Sequence, residues 1–206
     1  MSSTQIIAFD RNGDASVYGA VRNSWLGGMA IWTEMEYRHL PRYIPEWISS
    51  YGIARDRYKT MSDEEIRRRI GYVATRCSSL GDNNGMHEIW ELYKNQKVPD
   101  YEQITLLTTL DGVVVMKEYF DVVIMSFKAF GGKTNLPEQI DILRRMMNDD
   151  NVIACAWNQS SVDGNAWTSY DYCKACEECE GHARPYNLFK DDDHWIMFEG
   201  EEQDNE

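Results

Sequence analysis

The sequence predicts an α+β fold with a mostly antiparallel sheet. Three observations carry that expectation. Three turn dipeptides, Asn12-Gly13, Asp111-Gly112 and Asp163-Gly164, sit beside segments rich in β-branched and aromatic residues. Such pairs tolerate the positive φ that a tight hairpin turn needs. Between them run stretches whose apolar residues recur at the helical spacing of three and four. Strands and helices do not alternate one for one, as a doubly wound parallel sheet would require. The expected architecture is hairpins interleaved with helices in one compact α+β domain, residues 1–170, followed by an acidic, cysteine-rich segment, residues 171–206.

In chain order, "QIIAFDRNGDASVYGAV" predicts strands at 5–10 and 15–21 around Asn12-Gly13. Asp10, Asn12 and Asp14 resemble the start of a calcium loop. The glycine such a loop needs is replaced by Ala15, and no bidentate glutamate follows, so a plain turn is expected. Asn23 or Ser24 can cap a helix carrying Trp25, Met29, Trp32 and Met35. Gly27-Gly28 argues for close packing or a later start, and Pro41 and Pro45 end the element. Residues 41–60 read as irregular. Ser62 and Glu65 form a capping box for a helix over 62–80, with Ile66, Ile70, Val73, Cys77 and Leu80 on one stripe and a stop at Gly81. A short helix follows in "MHEIWELYKNQ". A second hairpin is expected around Asp111-Gly112, helices at 120–130 and 136–148, and a third hairpin from strands near 152–158 and 166–170. Cys155 falls mid-strand among apolar neighbours and reads as core.

Charge narrows the function. The 206-residue chain carries a net charge of −13. Residues 171–206 hold twelve acids and three bases, so most of the imbalance lies there. Phosphate binding needs a basic footprint, so direct nucleic-acid binding is not expected. An acidic end suits a basic protein partner, or imitates nucleic acid. No run reaches the roughly 18 apolar residues of a membrane span. No basic-then-apolar leader opens the chain. Five cysteines, four of them in the last third, suggest a reducing cytosol with thiols or metal rather than a disulfide framework.

"CKACEECEGH" places Cys173, Cys176, Cys179 and His182 at a strict three-residue step. Thiolate and imidazole suit zinc. Three residues of helix rotate about 300°, so a continuous helix would spread these ligands around its axis. Closure on one metal needs a turn, which Gly181 permits, or ligands from elsewhere such as His194. A catalytic thiol is disfavoured, because Glu177, Glu178 and Glu180 oppose formation of the thiolate.

The leading functional reading is a non-enzymatic cytosolic protein that binds another, basic protein through an acidic, aromatic-bearing surface. Asp191, Asp192 and Asp193 would steer, and Trp195 and Phe198 would anchor. A solvated tail has few aromatics, whereas this segment is rich in them. The second reading is a small enzyme with a polar pocket near residues 22–25 and 157–161. The third is a structural zinc-bearing module.

Overall fold

The computed structural model describes residues 3–24, 26–40, 44, 46–71, 84–159, 167–171 and 181–198. It shows the expected α+β mix, with seven α-helices and a mostly antiparallel five-stranded sheet among the described residues. The chain divides into two compact units. One comprises Met1–Ile31 and Pro99–Glu206, the other Trp32–Val98.

The first unit is built on strands β1 (Ser3–Asp10), β2 (Ala15–Arg22), β3 (Val113–Met116), β4 (Val152–Asn158) and β7 (Trp195–Met197). Their order is β2-β1-β4-β3-β7, and only the β3–β7 pair is parallel. The first hairpin forms as expected. Gly13 takes φ +82° and closes the turn through its N–H to the Asp10 carbonyl, while Asp10 Oδ1 accepts from the N–H groups of Asn12 and Asp14 at 2.8 and 3.0 Å. Asp10 is therefore engaged as a turn acceptor. Two further strands, β5 (Thr168–Asp171) and β6 (His182–Pro185), make a separate antiparallel pair.

Two expected hairpins do not form. Residues ahead of Asp111-Gly112 are helical, as α5 (Asp100–Leu107). Pro99 opens it, and Asp100 and Glu102 fall in its positively polarised first turn. The threonines that suggested a strand fold their hydroxyls onto helix carbonyls instead: Thr105 to Tyr101, Thr108 to Thr105 and Thr109 to Leu106, at 2.6–2.8 Å. The third hairpin fails because β4 is flanked on both edges, by β1 and β3. No edge is left for β5, which pairs with β6.

Helices α6 (Phe120–Phe130) and α7 (Leu136–Met147) match the expected spans. Gly131 ends α6, and Pro137 lies in the first turn of α7. Ile140, Leu143 and Met146 are buried at its inward face, while Met147 is only partly so. Cys155 is fully buried, and burial pushes its thiol well above the ordinary value, which leaves it inert.

The second unit holds a 3-10 helix (Glu46–Tyr51), α2 (Arg55–Thr60), α3 (Asp63–Ile70) and α4 (Asn84–Lys94). The helix α1 (Gly28–His39) begins in the first unit's sequence and ends in the second's, with the later start that Gly27-Gly28 allowed. Residues 46–60 hold more regular structure than expected, and Tyr58 of α2 is buried with Ile48, Ile53, Met61 and Ile66. The Ser62 cap is present, its side chain accepting from Glu65 N–H at 3.1 Å. The helix stops ten residues earlier than the predicted Gly81. Gly71 takes φ +91°, and its N–H bonds the Arg67 carbonyl, a left-handed terminus. Ile70 packs partly buried against the same cluster. Val73, Cys77 and Leu80 lie outside the described residues.

Candidate functional site

Residues 181–198 form a fitted part of the first unit. Tyr186 and Leu188 join Ile7, Phe9, Ala15, Val114, Ala154, Ala156 and Trp167 in one apolar cluster. Phe9, Trp167 and Tyr186 meet edge to face, with centroids 5.2–6.4 Å apart. The backbone follows suit: Ala15 N–H donates to the Tyr186 carbonyl and Leu188 N–H to the Gly13 carbonyl, both at 2.8 Å. Asn187 is buried, and its amide donates to Asn12 O at 2.9 Å and Asp14 Oδ1 at 2.7 Å. The N-terminal hairpin is thus a seat for the C-terminal segment.

The three consecutive aspartates differ sharply. Asp191 faces inward. Arg184 donates to both of its oxygens, at 2.7 and 2.6 Å, and Ser169 Oγ and Asn187 N–H add bonds at 3.2 and 2.8 Å. The Arg184 bonds hold its carboxyl well below the usual aspartate range. Asp192 and Asp193 are exposed. Beyond them, Tyr186 Oη lies 2.8 Å from His194 Nδ1. Burial first, and then the neighbouring Asp193, push the Tyr186 phenol well above its ordinary value. Trp195 opens β7 with 49% of its surface exposed. Phe198 is partly buried, its ring tilted 31° against that of Tyr119 with centroids 4.8 Å apart. Phe189, another of the aromatics of this acidic segment, is 65% exposed. Its ring lies where a Cβ on Gly13 would sit 2.7 Å away.

Cys173, Cys176 and Cys179 lie outside the described residues. His182 is exposed at the head of β6, directly after Gly181 at φ +96°. His194, the alternative ligand, is engaged with Tyr186. Among the described residues no group of three or more His, Cys, Asp and Glu side chains could hold a metal ion.

The second sequence-predicted locus is brought together. Thr4 Oγ lies 2.7 Å from Asn23 Oδ1 and 2.8 Å from Gln159 Oε1, two acceptors for its one proton. Asn135 donates to Asn23, Gln139 to Asn135, and the Trp157 indole N–H to Gln139 at 2.9 Å. Gln159 donates onward to the Thr108 carbonyl. Arg22 contributes only its carbonyl here, and Asn158 bonds Gln5 instead. Thr4, Asn135 and Gln139 were missed in the sequence; nothing but their spacing within β1 and α7 distinguishes them. The members are amides, a hydroxyl and an indole. None of them is ionisable near neutral pH, and their hydrogen bonds tie β1, β4 and α7 together in the interior. Trp25, Ser160 and Ser161 of the predicted pocket lie outside the described residues.

No helix among the described residues is long and apolar enough to cross a membrane. No protein-family model matches the chain, and neither a curated protein nor a solved structure matches it.

Proposed function

We propose that this protein acts by binding a basic protein partner through the surface formed by Asp192, Asp193 and Trp195, and that it does so in the cytosol, where its five cysteines stay reduced. The observation that carries this reading is the contrast within one triad of aspartates. Asp191 fixes the backbone from inside, while Asp192 and Asp193 stand in solvent beside a half-exposed indole. Exposed charges steer encounter, and an exposed aromatic on a fixed backbone loses little freedom when a partner covers it. Phe198, the other expected anchor, is partly buried beside Tyr119.

The test is kinetic. With a partner recovered from native lysate at low salt and then purified, D192N/D193N should slow association severalfold and flatten its dependence on salt. W195A should leave association nearly unchanged and speed dissociation about 30-fold, the signature of a central aromatic anchor. Unchanged rates and an unchanged salt slope in both variants would remove this surface from the interface.

A further inference from the structure

β7 is the last strand of the five-stranded sheet, and among the described residues β3 is its one neighbour. Trp195 N–H bonds Gly112 O at 2.8 Å, so Trp195 and Met197 direct their main-chain groups toward β3. Along a strand these directions alternate, which turns the N–H and C=O of Ile196 outward. No described residue pairs with them. β7 reads Trp-Ile-Met and carries no lysine, proline or inward charge, the usual devices that keep an edge from pairing. A strand of three residues offers one residue's pair of hydrogen bonds, so selectivity must come from its flanks.

The flanks exclude a second copy of this chain. Parallel pairing of two β7 edges would set Asp192 and Asp193 beside the same acids. By sequence neither flank of β7 carries a lysine or arginine to offer an antiparallel copy. Like charges directly opposite destabilise a pair, and opposite charges stabilise it. We propose that the outer edge of β7 is a strand-addition site for an extended, lysine- or arginine-bearing segment of a protein partner, its main chain paired to Ile196 and its cations over Asp192 and Asp193. This inference rests on the acidic-surface reading above and specifies its mode.

The probe is an acetylated, amidated peptide, Lys-Thr-Lys-Val-Lys-Thr-Lys. It is compared with its glutamate-for-lysine analogue and with a version N-methylated at every central amide, which keeps charge and side chains but cannot pair. The lysine peptide should bind the full chain and slow hydrogen exchange of the Ile196 N–H at least tenfold at saturation. The methylated peptide should bind about tenfold more weakly, and the glutamate peptide should not bind. Equal binding of the methylated peptide, or unchanged exchange at Ile196, overturns strand addition and leaves the acidic surface standing. Equal binding of the glutamate peptide overturns the acidic surface itself. Binding by none of the three overturns strand addition, and the kinetics of D192N/D193N with the purified partner then judge the surface separately.

Discussion

Asp191 was chosen from the sequence as one of three equivalent steering charges, yet its side chain is spent on the interior. Four hydrogen bonds reach it, two from Arg184. Replacement with asparagine keeps the size but loses the bidentate ion pair, which should cost about 2 kcal/mol in chemical denaturation. The pH dependence has a definite sign. The folded carboxyl ionises more readily than the unfolded one, so its contribution is complete above the ordinary aspartate value of about 3.9 and is lost as pH falls below it. D191N should therefore flatten the decline in stability between about pH 4 and 2. Tyr186 gives the opposite case. Its phenol resists ionisation in the fold, so stability should fall as pH rises beyond about 10, where an unfolded tyrosine ionises. Burial also raises Tyr18, Tyr93 and Cys155, so Y186F should lessen the alkaline loss without removing it; an unchanged alkaline limb would show that Tyr186 does not contribute to it.

At the scale of elements, the early stop of α3 is testable because Gly71 has open space around it. A Cβ built there meets nothing within 4 Å, so substitution changes backbone strain alone. G71A should destabilise by about 1 kcal/mol, and G71N by less, since asparagine tolerates the left-handed region better. I66A, at a fully buried position, should cost about 2–5 kcal/mol, and I70A less, because Ile70 is only partly covered. The elements readable from sequence were those specified locally. Asn12-Gly13, Ser62 with Glu65, Gly131 and Pro137 each act through their own backbone conformation or nearest hydrogen bond. What could not be read was pairing at a distance. Val113–Met116 and Val152–Asn158 were both recognisable as strands, but nothing local says that they pair with each other or that β7 comes from residue 195 onward. The same limit applied to the site. Asp191, Asp192 and Asp193 are identical as letters, and only Arg184 and Asn187 tell them apart.

At the scale of the molecule, charge is divided between the units. Met1–Ile31 with Pro99–Glu206 carries 24 acids and 10 bases, and Trp32–Val98 carries 10 acids and 11 bases. The sequence alone sets the acidic end, residues 171–206, apart from the 1–170 domain, as a segment whose loss would leave the fold intact. The packing argues otherwise. Tyr186, Leu188 and Met197 are each at least 90% buried, and burial of a large apolar side chain contributes about 1.5–3 kcal/mol. Three such side chains amount to a large share of the 5–15 kcal/mol that holds a typical domain folded. Loss of the segment would also strip β3 of its parallel neighbour and leave Phe9 and Trp167 without the ring that meets both at their edges. A chain ending at residue 180 should therefore lose its cooperative thermal transition and bind a hydrophobic dye such as ANS, as a loosened core does. The control is a full-length chain with D192N/D193N, which removes two acids and none of the packing; it should melt within a few degrees of the parent. If the shortened chain instead melts like the parent, Tyr186 and Leu188 contribute nothing to the core, and the acidic segment is a tail after all.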